Sequence, residues 1–561
     1  MVKGFLSSFN REISGVHQAA LVLAFSGLAT KILALVRDRM LAQVFGAGET
    51  LDVYFAAFRI PDFLYNTLFL LLTTGAALMP IFFSRLQGGH EKARVFLDRI
   101  STLFWIFSLL IVFVAFFAIP LVSPWIAPGF SEKALADYVS ASRVLLLSAL
   151  LLGFSAFVSS VIQAYNRFFI YAISPLVYNV GIIAGILSFP WLGFNGLLWG
   201  VVLGAALHLA VQIPSLVSLK LVPRFSLDFF HKDVFEVLKY SFPRAVSLGM
   251  SQVVLTALTA FASAIGAGSI AVFQFAYNLF NIPLSLIGVS YSIAAFPSFA
   301  KNNAEGQTAE FLNNVSLAIR NVVFLSMPSV ALFIVLRAHV VRVVLGVGSF
   351  NWSDTRLTAA LLALFAVSVV AQGVVLVFVR AFYAAGRTIF PLLVMAFTGI
   401  LSILTAYVGL WVLEPGSLLQ EFVASLMRVA DVPRSEVVML AAAFSLGNIL
   451  AMAFLWAGFL WYFKNPNENL TKSLGEHILA AFVSGGSAYG VLHFTDGWFL
   501  LDTFWGVFGH GFLAGAAGLL AALSFLALIG NRELIEVSES LRTKLLRPKV
   551  VAPEPKSASE A

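Results

Sequence analysis

The sequence predicts an all-α polytopic membrane protein: about fourteen transmembrane helices in two lobes of like orientation around a central cavity, with both termini cytoplasmic. Three observations carry this. First, 60% of the 561 residues are hydrophobic and 11% are charged, with a mean hydropathy of +0.92. A soluble domain is about 25% charged, and no water-soluble fold hides this much apolar surface. Second, the apolar runs recur at the length of about 20 residues needed to cross a bilayer. Third, the chain repeats itself. Phe45-Gly46-Ala47-Gly48 leads to Phe55, Ala57, Phe58, Arg59, Ile60 and Pro61, and Ile265-Gly266-Ala267-Gly268 leads to Phe273, Phe275, Ala276, Asn278, Ile282 and Pro283. A second pair, Ala164-Tyr165-Asn166-Arg167 with Pro175 and Ala381-Phe382-Tyr383 with Pro391, has nearly the same offset. Duplication in an apolar chain marks a transporter whose site lies between its halves.

In order, the predicted spans lie near 17–36, 51–83, 94–120, 136–164, 168–190, 195–218, 235–265, 269–299, 310–338, 356–385, 389–413, 437–463, 474–495 and 504–530. The second and eighth are long and carry Pro61 and Pro283; proline removes a backbone donor, so both are expected to be kinked or partly unwound and to act as hinges. Residues 1–16 form an amphipathic cytoplasmic start, and the run that follows is too long for a signal-peptide core. Residues 17–225 make the N-lobe and 226–413 the C-lobe. Residues 414–436 are an external insert whose Leu418, Leu419, Phe422, Val423, Leu426, Met427 and Ala430 recur at helical spacing. Residues 437–530 hold one span that completes the C-lobe and two additional ones. Residues 531–561 are a polar cytoplasmic tail.

Basic loops fix the orientation. Arg85, Lys92, Arg94 and Arg99, then Lys220, Arg224, Lys232 and Lys239, then the tail's Arg532, Arg542, Lys544, Arg547, Lys549 and Lys556 fall on one side, whereas 414–436 is acidic. That side is cytoplasmic by the positive-inside rule. Six spans separate the repeats, so they are parallel. The net charge of +7 is therefore topology-setting and not a nucleic-acid footprint. With no cysteine in the chain, disulfides and thiolate chemistry are excluded.

Charges inside the spans mark the site, because each costs about 2.5–3.5 kcal/mol on insertion scales. Lys31 lies within the first span, with Arg37, Asp38 and Arg39 at its outer end. Asp52 opens the second span, and Arg59, seven residues on, shares its helix face. Cations gathered at one end of two adjoining helices suit an anion, and the arginine fork suits phosphate oxygens. The competing readings are snorkelling for Arg37 and Arg39 and a helix N-cap for Asp52. His208 within a span is read as an interhelical histidine before a proton carrier, and Gln252 and Asn278 as mid-span amides that bond across helices. The histidines show no metal spacing, and no acid/base pair or nucleophile constellation is visible. The chain is therefore expected to be neither an enzyme nor a holder of metal or cofactor.

These residues carry a resemblance. Arg37-Asp38-Arg39-Met40-Leu41-Ala42-Gln43-Val44-Phe45-Gly46-Ala47-Gly48, then Asp52, then Ala57-Phe58-Arg59-Ile60-Pro61, resembles the opening signature of the MviN/MurJ family. Ala127-Pro128-Gly129-Phe130, Tyr165-Asn166-Arg167-Phe168, Gln212-Ile213-Pro214, Ser251-Gln252, Pro297-Ser298 and Phe382-Tyr383-Ala384 continue it in order. The family comprises lipid II flippases of the multidrug/oligosaccharidyl-lipid/polysaccharide exporter superfamily. The resemblance implies alternating access around a central cavity in a bacterial inner membrane. It implies export of a polyprenyl-pyrophosphate-linked glycan, with membrane lipids and cell-envelope synthesis proteins as partners, and an ion or the membrane potential as driving force. The expected substrate-binding set is Lys31, Arg37, Asp52, Arg59 and Asn278. The match departs from the family at Tyr65 and Asn278, where the family has arginines, so transport of another lipid-linked glycan or a non-transporting scaffold are the alternatives.

Overall fold

A computed structural model describes residues 16–73, 75–228, 231–412, 417–463 and 468–546. The amphipathic start before Val16, residues 413–416 of the insert region and the tail from Arg547 onward lie outside the described residues. Every regular element among them is helical. Helices α1 (Val16–Phe45), α2 (Glu49–Ala57), α3 (Arg59–Phe63), α4 (Leu70–Thr73) and α5 (Gly75–Gln87) cover the first two spans. Next come α6 (His90–Ile126), α7 (Glu132–Ala164), α8 (Phe168–Leu187), α9 (Phe189–Ala210) and α10 (Ile213–Ser218). The second half holds α11 (Lys232–Ile265), α12 (Ser269–Pro283), α13 (Ser290–Ala304), α14 (Thr308–Val335), α15 (Arg337–Leu345), α16 (Trp352–Ala384) and α17 (Ile389–Tyr407). Last are α18 (Leu418–Leu426), α19 (Val438–Phe463), α20 (Glu468–Phe494), α21 (Phe504–Leu528) and α22 (Arg532–Leu546).

Eleven stretches among the described residues are long and apolar enough to cross a membrane. The other three expected spans are helical but less uniform. The first, α1, carries Lys31, Arg37, Asp38 and Arg39; the second is broken; α20 opens with Glu468, Lys472 and Glu476. At both prolines the helix changes type. After Pro61 the chain makes a π-helical segment, Leu64–Phe69, and after Pro283 it makes another, Leu284–Val289. Both repeats thus widen their helix at the same place, a feature common at functional sites. The second span is also interrupted at Phe58, between α2 and α3.

Within the N-lobe, α8 and α9 approach until a Cβ on Gly185 would sit 2.6 Å from the Gly200 Cα and one on Gly181 2.3 Å from the Gly204 Cα. Small residues let helix backbones meet this closely in membranes. In the C-lobe, α16 is buried along most of its length, and α12, α14 and α19 pack around it. The additional pair α20 and α21 packs on α14.

The insert contains the expected short helix, α18, with Leu418, Phe422 and Leu426 exposed and Ala424, Val429 and Val432 turned to the core. It is anchored by Arg356, which donates to Asp431 at 2.6 and 2.7 Å. That hydrogen-bonded guanidinium holds the Asp431 carboxyl below the usual carboxylate range. The helix α15 has no counterpart in the sequence reading. It packs on α1 and α21 and is too short and too polar to register as a span.

Candidate functional site

The two lobes meet at the end that carries the Gly46–Gly48 and Gly266–Gly268 turns. Gly46 (φ +61°) lies so close to the α15–α16 connection that a Cβ there would stand 2.5 Å from the Ser349 carbonyl oxygen. Gly268 (φ +89°) likewise approaches the Ala47 carbonyl, with 2.2 Å to a hypothetical Cβ. Positive φ and backbone contact together restrict both positions to glycine. The seal is tightened by charge. Asp52, 1% exposed, accepts from the Gly268 amide at 2.5 Å and the Ala271 amide at 2.8 Å. It therefore caps the N-terminus of α12, in the opposite lobe, where the helix dipole favours an anion. Its own helix is capped by Gly48 without a side-chain bond. From the insert, Arg434 donates to the Ala267 carbonyl and to Asp354 at 3.0 Å.

Beneath this seal α12 presents a polar stripe. Ala271, Gln274 and Asn278 are spaced three and four apart and so share a face. Each is met by a charged residue of the N-lobe. Asp52 takes the Ala271 amide. Arg59 donates to the Gln274 Oε1 at 2.5 Å, and Asn278 donates to Asp38 at 3.0 Å. Gln274 also donates to the Asn278 Oδ1 at 2.8 Å, which joins the contacts into one chain. Asp38 further accepts both Nε (2.9 Å) and Nη2 (2.7 Å) of Arg37, whose Nη1 reaches the Asn179 Oδ1 at 3.2 Å. The polar chain runs Asn179, Arg37, Asp38, Asn278, Gln274, Arg59, and it crosses from lobe to lobe.

The chain borders a cavity of about 140 Å³ lined by Arg37, Tyr54, Arg59, Asp62, Tyr178 and Asn278 among others. At about 30 Å³ per water this holds a few waters or a phosphate group, not a glycan. Arg59 is 5% exposed, and its Nε has no partner among the described residues. That guanidinium has a donor to spare in a place where an unpaired donor costs about 1–3 kcal/mol. An anion entering the cavity meets two arginines, from two helices, in a setting too dry to screen them.

Of the expected residues, the structure brings Arg37, Arg59 and Asn278 to the cavity. Asp52 is placed in the seal above it. Lys31 lies on α1 nearly two turns before Arg37, outside the cavity lining and without a hydrogen bond or ion pair among the described residues. Pro61 is buried in α3, and Pro283 ends α12. Arg39 is turned elsewhere: it donates to the Val343 carbonyl at 2.6 Å and lies over the Phe504 ring, tying α1 to α15 and α21. His208 is an interhelical histidine, bonded to Ser155 at 2.6 Å. The sequence reading missed Asp62, Tyr54, Tyr178, Asn179 and Gln274. Asp62 and Gln274 were open to inference: each is a polar residue one turn from a site residue within an apolar span. Among the described residues no group of His, Asp and Glu is placed to hold a metal.

Two helical lobes close over a polar neck, and this architecture has solved counterparts among membrane transporters. One titled "Lipid II flippase MurJ, inward closed conformation" matches with a TM-score of 0.69 at 20% identity, over 94% of this chain and all of that one. An inward-facing multidrug resistance MATE transporter of the exporter superfamily named above matches with a TM-score of 0.61 at 15% identity, over 81% of this chain and 98% of that one. At those identities the likeness is one of fold.

The sequence narrows the class. The family described as Lipid II flippase MurJ matches residues 41–509, and the chain belongs to that family. A probable lipid II flippase MurJ of Rhizobium tropici is 28% identical over 65% of this chain and 70% of its own length. The lipid II flippase MurJ of Burkholderia cenocepacia is 26% identical over 66% and 73%.

Proposed function

We propose that the protein moves a polyprenyl-pyrophosphate-linked glycan of the lipid II kind across the membrane by alternating access, and that Arg37 and Arg59 hold the pyrophosphate. One observation supports this above the rest: Arg59, which lines the cavity, also ties the lobes together, and Arg37 beside it holds the Asp38 carboxylate that Asn278 of the opposite lobe meets. In the closed arrangement Arg59 is spent on Gln274, and Arg37 on Asp38 and Asn179. A pyrophosphate offers Arg59 an anionic partner in place of a neutral amide, and offers Arg37 a second anion beside Asp38. Its arrival replaces the amide partner from α12 and weakens the link between lobes. The seal then rests on Asp52 and the glycine contacts, and the lobes part at that end while the π-helical segments after Pro61 and Pro283 absorb the bend. Binding energy thereby drives the conformational step, as a population shift requires. Lys31, on the same helix and further from the seal, attracts the head group toward the neck.

The test is lipid movement in proteoliposomes, scored as protection of a labelled undecaprenyl-pyrophosphate glycan from an external enzyme. The native chain is expected to move the lipid, and Arg59→Ala and Arg37→Ala to slow it. A native protein that moves none, or variants that move it at the native rate, would contradict the proposal.

A further inference from the structure

The neck is electrically balanced before any substrate arrives. Arg37 and Arg59 supply its positive charges, and Asp38 and Asp62 its negative ones. The two carboxylates are not equivalent. Asp38 is saturated by two donors of Arg37 and one of Asn278. Asp62 lines the cavity, is only part-buried, and its carboxylate has no hydrogen bond or ion pair among the described residues. Its charge is opposed only at a distance, by Arg59 one turn earlier.

A pyrophosphate seated on the two arginines therefore leaves Asp62 facing an anion in a poorly hydrated neck. Uncompensated like charge at that depth is strongly unfavourable. We infer that Asp62 is the coupling-proton site of the transporter: it takes up a proton when the pyrophosphate binds and gives it back when the head group leaves. This rests on the reading of Arg37 and Arg59 as the pyrophosphate holders.

The surroundings favour a proton over a metal ion. A hard cation wants six or more oxygen ligands, and among the residues that line the cavity Asp62 supplies the only carboxylate. The other ionisable groups around Asp62 are Arg37 on α1, Tyr54 on α2, Arg59 on its own helix, Tyr65 on the π-helical segment and Tyr178 on α8. Tyr138 from α7 and Tyr277 from α12 face Arg59. The helix α11, which packs beside α3, has no ionisable residue from Ala245 to its end. The tyrosines stay neutral, so the titratable answer to an incoming anion falls to Asp62. The proton comes from water in the cavity and returns to water on the side where the head group is released. The cycle therefore carries one proton with each lipid and needs no other reactant.

The test is calorimetry of farnesyl pyrophosphate binding to the purified full chain, in buffers of different ionisation enthalpy, between pH 6 and 8. The probe's own titration is common to all variants, so the difference between proteins reports the site. The native chain is expected to take up about one proton more per probe than Asp62→Asn, and its affinity to fall by about tenfold per pH unit relative to that variant. Asp62→Glu is expected to restore the uptake, which a purely structural role would not do. Equal uptake by native chain and Asp62→Asn would overturn the assignment. So would loss of uptake in Asp38→Asn alone, or sodium at fixed pH substituting for the proton. A native chain that binds no probe at any pH would overturn the pyrophosphate site itself, and this inference with it.

Discussion

The two lobes share a scaffold and divide the chemistry. Each opens with a glycine turn, runs into a long helix, reaches a proline and then relaxes into a π-helical segment. On that common frame the N-lobe places Arg37, Asp38, Asp52, Arg59 and Asp62. The C-lobe places Gln274 and Asn278, and fills the next position with Tyr277, stacked 6.4 Å from Phe273 and lying 5.9 and 5.8 Å from Phe365 and Phe444. The difference teaches that the two halves keep one helical frame while the ionised side chains of the neck come from one of them. In the proposed cycle, a charge held by one lobe and an amide offered by the other make a link that closes the molecule and that an anion breaks. Two charged faces would instead meet as ion pairs, with both partners ionised.

That contrast can be attacked in order of expected effect. Removing both arginines, Arg37→Ala with Arg59→Ala, strips the charged face. Each bond to a charged group is worth about 1.5–3 kcal/mol, so initial rates of lipid movement should fall by at least about 100-fold. A rate near native would place the head group elsewhere. Next is Asp52→Ala, which uncaps α12 at a cost of about 1 kcal/mol. Accessibility of cysteines introduced at the seal should rise by about fivefold, and unchanged accessibility would free Asp52 from that role. Third, Pro61→Ala and Pro283→Ala probe the shared mechanics. Turnover should slow severalfold in both while expression holds, and if only one slows, the hinges are not equivalent. The smallest effect belongs to Asp431→Asn, which loosens the insert. Exposed ion pairs contribute little, so transport should stay within about twofold. Because the folded carboxyl is held below its ordinary value, the pair's contribution is present above that value and is lost as the pH falls through the lowered one. Proteolysis of the insert should rise in acid for the native chain but not for Asp431→Asn.

Much of the architecture was legible in the sequence, because apolar length and repetition are one-dimensional signals. The sites of irregular helix were legible too, since a proline precedes each π-helical segment. The site was half legible. Arg37 and Arg59 stand out as charges in spans, but only folding reveals that Asn179 meets Arg37, that Gln274 meets Arg59 and that Asn278 meets Asp38. Asp52 looked like a cap for its own helix and caps another instead. The C-terminal charges read as a solvated tail, yet Glu533 is 2% exposed, 3.4 Å from Arg320 and within reach of Ser473. A carboxylate in a charged run carries no sequence mark of the buried arginine it will meet.

The most direct measurement of the central claim is a distance across the seal, because the claim is that an anion on Arg37 and Arg59 unties the lobes. The chain has no cysteine, so spin labels can be placed at Glu132→Cys and Glu436→Cys, both exposed at the sealed end, one at the start of α7 in the N-lobe and one at the end of the insert, just before α19. Double electron–electron resonance in lipid should show one short distance without substrate and a longer population when a polyprenyl-pyrophosphate lipid is added. The longer population should appear without substrate in Gln274→Ala and fail to respond to substrate in Arg59→Ala. A distance that ignores the lipid in the native chain, or responds to it equally in Arg59→Ala, would contradict the account.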